Sequence, residues 1–302
     1  MTLSMARKPN EGSFLDEFAA VTQRRRLAFR AGEWRNARRK SDRAVALEVP
    51  VALTYGGTTH AVMMASPSDL EDFAVGFTLS EGIVSEAGEI ETLRVERAEP
   101  GFDIQIHLAP RAERDFAARR RRFAGPVGCG LCGIESIGEV MRPARSLAGR
   151  DLRLGHDAIT GAMALLFAEQ VLHQATGAIH AAGFFVSGQC RDHADIAKPV
   201  AVREDVGRHN ALDKLAGALA RADVDGSTGF VVITSRVSVE MVQKTAAIGA
   251  PVLVAVSAPT ALAVDTARAC GMTLVAFARE DGFDVFTGAE RINGNEEQSH
   301  GG

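Results

Sequence analysis

The chain has 302 residues, 46% of them hydrophobic and 24% charged, and a formal net charge of −4. This is an ordinary globular composition with enough chain for one large domain or two. The net acidity argues against a general nucleic-acid footprint, no apolar run approaches the ~20 residues of a membrane span, and the polar N-terminus up to Arg24-Arg25-Arg26 lacks the apolar core of a secretory signal.

Residues 1–25 mix Pro, Gly, Ser and charge without sustained periodicity and read as a flexible arm. Residues 45–54 and 60–65 predict the two strands of a hairpin about Tyr55-Gly56-Gly57. Ser68 and Glu71 match a capping box ahead of a helix that carries Leu70, Phe73, Ala74 and Phe77 and ends at Glu81-Gly82. Residues 90–97 and 102–108 predict strands, the second with Phe102, Ile104, Ile106 and Leu108 in clean alternation. Residues 26–150 are thus expected to form a small α+β domain that ends in a cysteine loop.

That loop is Gly128-Cys129-Gly130-Leu131-Cys132-Gly133. Three glycines around two thiols suit an exposed, bendable segment. Ile134, Ile137, Val140 and Met141 follow at helical spacing, which sets Cys132 near a helix N-terminus. The dipole there favours a thiolate, the reactive form of cysteine. Four irregularly spaced cysteines make no disulfide framework in a chain of this length, so a reducing cytoplasm is the expected setting. Arg119 to Arg122, just upstream, are either a solvated helix face or a patch that draws an acidic partner or phosphates toward the loop.

The second half alternates strands and helices. Residues 157–175 predict one long apolar helix, and residues 178–187 and 200–203 predict strands. A helix over 210–219 follows, with Asn210 as its cap, then a strand at 230–234 and a helix at 239–248. A strand at 251–257, a helix at 260–270 and a strand at 273–278 complete the pattern, with Gly249 and Gly271 as helix stops. Strands apolar on both faces, alternating with helices, predict an α/β domain over 151–292 with a mostly parallel sheet covered by helices. The polar residues 293–302 are expected to be disordered. His180, in an apolar segment after a Thr-Gly turn, reads as a core histidine.

Three polar stretches fall where strands meet helices. They are Glu204 to Asn210 with Asp213 and Lys214 one turn on, Thr234 to Met241, and Ser257 to Thr260. Such junctions bind ligands in α/β sheets, and free N–H groups at helix starts suit anions. Arg208, His209, Asn210, Arg236 and Ser238 are the candidate contacts for a phosphorylated ligand, without a Walker A or G-x-G-x-x-G pattern. Zinc is a rival for the cysteines, because Cys190 and His193 supply a C-x-x-H pair. The deaminase signature places H-x-E before its P-C-x-x-C, whereas His193-Ala194-Asp195 follows the cysteines here and lacks the glutamate. No metal site is expected.

Together these motifs resemble the FdhD/NarQ family, accessory sulfurtransferases of formate dehydrogenases. The resemblance rests on Asp69 to Phe77, Gly128 to Gly133, Thr176 to Ala182, Glu204 to Lys214, Ser238 to Val242 and Ser257 to Val264. It implies a small N-terminal domain and a larger one similar to the cytidine deaminase fold. It implies that a cysteine desulfurase passes persulfide sulfur to Cys129, with Cys132 assisting. The sulfur then goes to the bis-molybdopterin guanine dinucleotide of a formate dehydrogenase catalytic subunit, at molybdenum or tungsten. The family's cofactor segment maps to Phe277, Ala278, Arg279, Glu280, Asp281 and Gly282. GDP is then the expected mimic, and a two-fold homodimer suits a cofactor with two nucleotide ends. The competing reading is a non-catalytic chaperone that binds the cofactor and docks it into the apo-enzyme. Two departures are Thr234-Ser235-Arg236, where the family often reads S-G-R, and Asp284 and Phe286, where it often carries Asn and Tyr.

Overall fold

The computed structural model describes residues 20–26, 28–30, 33–35, 41–123, 142–186 and 199–293. β1 (Val21–Arg26) pairs antiparallel with β4 (Ser41–Ala46), and β2 (Ala28–Arg30) with β3 (Glu33–Arg35). The arm expected up to residue 25 is therefore strand from Val21 onward, because Thr22 and Val21 find Val45 and Ala46 opposite them. The strand expected over 45–54 is split between β4 and β5 (Val49–Tyr55), and the Leu47 N–H at the break donates to Ala20 O at 2.8 Å.

β5, β6 (Thr58–Ala65), β7 (Ile90–Ala98) and β8 (Gly101–Leu108) form a four-stranded sheet in the order β6-β5-β8-β7. β5 and β8 run parallel in its centre. α1 (Leu70–Ser80) and α2 (Pro110–Phe123) contribute Leu70, Phe73 and Phe116 to a core with Leu53, Tyr55, Ile104 and Ile106. Each such buried side chain contributes roughly 1.5–3 kcal/mol. The expected capping box does not form. Asp69, at φ 50°, is the N-cap of α1, and Glu71 turns to Arg221 instead.

The larger unit is a six-stranded sheet in the order β10-β9-β11-β12-β13-β14. It contains β9 (His180–Val186), β10 (Pro199–Asp205), β11 (Gly229–Ile233), β12 (Val252–Ala255), β13 (Thr273–Arg279) and β14 (Gly282–Thr287). The α/β class is as expected, but the sheet is mixed rather than mostly parallel. Only β11, β12 and β13 are parallel neighbours, joined by helical crossovers. β9 pairs antiparallel with both β10 and β11, and β14 folds back on β13 as a hairpin. Three of the helices, α5 (Arg208–Arg221), α6 (Val239–Ile248) and α7 (Ala261–Cys270), cover one face through Leu212, Leu215, Met241, Val242 and Ala267. α3 (His156–Glu169) covers the other through Ile159, Met163 and Leu166. Leu147 already belongs to this unit's core.

The long helix expected over 157–175 breaks at Gln170, and α4 (Val171–Thr176) starts anew. The Glu204 carboxylate explains the break: it accepts the Leu172 and His173 N–H groups at 2.8 and 2.9 Å, capping the second helix.

The two units meet where α1 crosses α5. A Cβ added to Gly76 would lie 1.7 Å from Asp213 O, and one added to Gly217 would lie 1.9 Å from Asp72 O. Only glycine allows this backbone approach, so one glycine on each helix sets the seam.

Candidate functional site

Much of the Glu204–Lys214 run turns inward to that seam. Lys214 Nζ lies 2.6 Å from Asp205 Oδ2, and neither side chain is exposed. Asp205 also accepts the Ser66 N–H at 2.9 Å and the Gly207 N–H at 2.7 Å. Lys214 donates to Ser66 O at 3.0 Å. Ser66 follows β6, so this pair ties the small unit to the large one. Asn210 does not cap α5; Gly207 does. The Asn210 side chain is 2% exposed as a residue, and its amide N–H groups go to Met64 O at 2.8 Å and Asp205 Oδ1 at 3.0 Å. Its donors are spent within the fold.

A second buried node joins α1, α5 and α6. Lys244 Nζ donates to Asp213 Oδ1, Ser80 Oγ and Glu81 Oε1 at 2.8, 2.9 and 2.9 Å. Burial works against the ammonium, but Asp213 and Glu81 beside it hold its pKa above the usual lysine value. A third node sets Asp72 against Arg203 at 2.7 Å and against Arg221. Sequence reading missed Lys244. Its signal was a lone charge on the buried face of a helix that carries Met241, Val242 and Thr245.

The strand-to-helix junctions do gather at one edge of the sheet. The Val237 N–H donates to Ala258 O at 3.1 Å and the Thr260 N–H to Val237 O at 2.9 Å, which joins the second junction to the third. His209 Nε2 lies 3.9 Å from Glu240 Oε2, which joins the first to the second. Ser238, the N-cap of α6, donates its hydroxyl to Glu240 Oε2 at 2.6 Å. This bond, more than any nearby charge, holds the Glu240 carboxyl below the usual glutamate pKa. Arg236 is exposed beside them.

The 277–282 segment closes the same edge. The Phe277 N–H donates to Ser257 O at 3.4 Å, and Arg279 Nη1 donates to Val256 O and, at 2.9 Å, to Ala278 O. Phe277 is 44% exposed and holds φ 52°. A bulky residue in the left-handed region is strained, and strain of this kind gathers at functional sites. The Ala278 side chain is buried in the core, Glu280 and Asp281 are exposed in the turn between β13 and β14, and Gly282 opens β14.

His180 sits half-buried at this edge rather than deep in the core. Burial, aided by Arg208, pushes both His180 and His209 below the ordinary value of 6.5. Both imidazoles are thus expected to be neutral at pH 7. Their folded pKa lies below the unfolded one, so the stability they contribute is present above 6.5 and is lost as pH falls through the folded value. Titrating the ring protons by NMR checks this: a midpoint at or above 6.5 for either ring contradicts it.

Cys129, Cys132, Cys190 and His193 lie outside the described residues. Cys270, the remaining cysteine, is buried, and burial raises its thiol pKa, which leaves it inert.

The FdhD/NarQ family model matches residues 46–293. The chain belongs to this family. Among curated FdhD proteins, the sulfur carrier protein FdhD of Agrobacterium fabrum is 52% identical over 251 residues, 83% of this chain and 90% of that one. The sulfur carrier protein FdhD of Cupriavidus necator is 48% identical over 268 residues, 87% of this chain and 89% of its own. A crystal structure of a putative formate dehydrogenase accessory protein from Desulfotalea psychrophila aligns with TM-score 0.69 at 25% identity. That alignment covers 91% of this chain and all of the other. The FdhD/NarQ match takes in both sheets, the seam and the whole junction edge; of the β1–β4 pairing it takes in only Ala46.

Proposed function

We propose that this chain is a sulfurtransferase for formate dehydrogenase maturation. It takes persulfide sulfur from a cysteine desulfurase onto Cys129 and delivers it to bis-molybdopterin guanine dinucleotide, bound as substrate at molybdenum or tungsten. The observation that carries this reading is membership of the FdhD/NarQ family over 46–293, with curated sulfur carriers at about half identity. In the loading step the Cys129 thiolate attacks the outer sulfur of the desulfurase persulfide; a new S–S bond forms as the old one breaks, and the desulfurase thiolate leaves. Cys132 assists by shielding or relaying that sulfur. The setting is the cytoplasm, and among the described residues no helix is long and apolar enough to cross a membrane. Incubation with desulfurase and cysteine should add one sulfur to Cys129, a mass gain of roughly 32 Da, readable by mass spectrometry. A protein that stays unmodified under conditions that load a known sulfur acceptor rules the reading out.

The junction edge is the proposed seat of the cofactor's nucleotide end, one per subunit of a homodimer. Helix N-termini at Ser238 and Thr260 suit diphosphate oxygens. Arg236, Arg208 and Arg279 supply positive charge, and Phe277 an exposed aromatic face. GDP is expected to bind and, at about 100 times its Kd, to stabilise the fold by about 2.7 kcal/mol. Arg236→Ala removes a charge-assisted contact worth roughly 1.5–3 kcal/mol and should weaken GDP about 10- to 100-fold, while Cys129 still loads. Calorimetry that finds ADP equal to GDP contradicts the site.

A further inference from the structure

A second pocket lies away from the junction edge, between α1, α2 and α6, with a volume of about 680 Å³. Arg119, Arg142 and Arg145 line it together with Leu79, Val84 and Gln243. We infer that this pocket docks an acidic peptide segment of a partner protein.

Two of its guanidinium groups are fixed in place by backbone. Arg142 donates to Glu81 O at 2.6 Å and Ser80 O at 2.5 Å, and Arg119 donates to Glu81 O and Gly82 O, both at 3.1 Å. These are carbonyls at the C-terminal end of α1, so the arginines cap the helix as they line the pocket. Capping does not cancel their charge. The acid nearest to them, Glu81, is engaged at 2.9 Å by Lys244 and stands 3.9 Å from Arg142. Arg145 is exposed at the mouth. The surrounding sequence is strongly biased: residues 111–145 hold eight arginines against four acidic residues, in a chain whose net charge is −4. A local positive field on an acidic protein orients acidic partners and raises their rate of encounter.

The lining argues for carboxylates rather than phosphate. A compact phosphate dianion favours helix N-termini and converging N–H groups. Here the helix end is a C-terminus, whose carbonyls repel such a charge. Forked guanidiniums set among apolar Leu79 and Val84 suit separate carboxylates on an extended peptide with apolar residues between them. In sequence, Arg119 and Arg142 flank the stretch that carries Cys129 and Cys132, so a partner held here is delivered beside it.

The test uses the full chain and a fluorescein-labelled hexaglutamate peptide, followed by anisotropy at low salt. It measures no sulfur chemistry, so it stands or fails apart from the sulfurtransferase reading. Wild type is expected to bind and Arg145→Glu to bind about tenfold more weakly or worse. Arg145 is exposed, so its melting temperature should stay within the range of surface substitutions. Arg94→Glu, an exposed charge reversal on β7, should bind like wild type. Equal affinity of Arg145→Glu and wild type overturns the inference. So does an equal loss in Arg94→Glu, which would mark binding as general charge attraction. Pyrophosphate that binds more tightly than the peptide, in an Arg145-dependent manner, would reassign the pocket to phosphate and also overturn it.

Discussion

Cys129→Ser is expected to reduce formate dehydrogenase activity, in a strain that depends on this protein, to the level of its deletion. The reason is covalent. A serine oxygen cannot form the S–S bond in which transferable sulfur is held, so no fraction of the carrier function survives at that position. The substitution exchanges one small atom for another, and the melting temperature should be unchanged. Cys132→Ser is expected to keep the sulfur adduct on Cys129 but pass it on poorly. Formate dehydrogenase matured to wild-type activity by Cys129→Ser would refute the assignment. An adduct that survives Cys129→Ser and disappears with Cys132→Ser would reverse the two roles.

The second large effect is structural. Lys214→Met should destabilise the protein by about 3–5 kcal/mol, because it leaves the Asp205 carboxylate buried without its cation. At ~2–4 °C per kcal/mol for a chain of this size, the melting temperature should fall by about 6–20 °C. The contrast is Arg268→Met, which removes an exposed i,i+3 pair with Asp265 at 3.1 Å. Exposed pairs contribute ~0–1 kcal/mol, so that variant should melt close to wild type. Equal, small shifts in both variants would mean that the Asp205–Lys214 pair does not hold the two units together. The seam also links stability to the junction edge: α5 carries His209 at its first turn and Asp213, Lys214 and Gly217 further along. A loosened seam should therefore weaken GDP binding as well, though Lys214 touches no candidate ligand contact.

Local chemistry was enough to locate the elements of this fold. Alternation in Phe102 to Leu108 and the apolar runs of β11, β12 and β13 mark strands, because period-two and continuous apolar patterns have few other solutions. Gly249 and Gly271, both at positive φ, end their helices where the sequence places them. The cysteine spacing and the family likeness were also present in the sequence alone, and the match over 46–293 agrees with that likeness. What local pattern cannot carry is the choice of partner. Glu71 matched a capping box but pairs with Arg221, 150 residues away, since a tertiary ion pair outcompetes a marginal local cap. Glu204 broke a continuous helical pattern at Gln170 by capping a helix from a neighbouring strand. The direction of β9, β10 and β14 turned an expected parallel sheet into a mixed one, because strand sequence encodes burial and not orientation. The Glu204–Lys214 run shows the limit most clearly. Its residue types are those of a polar site, and only the packing of α1 across α5 decides that Asp205, Asn210, Asp213 and Lys214 bind the two units while Arg208 and His209 stay at the edge.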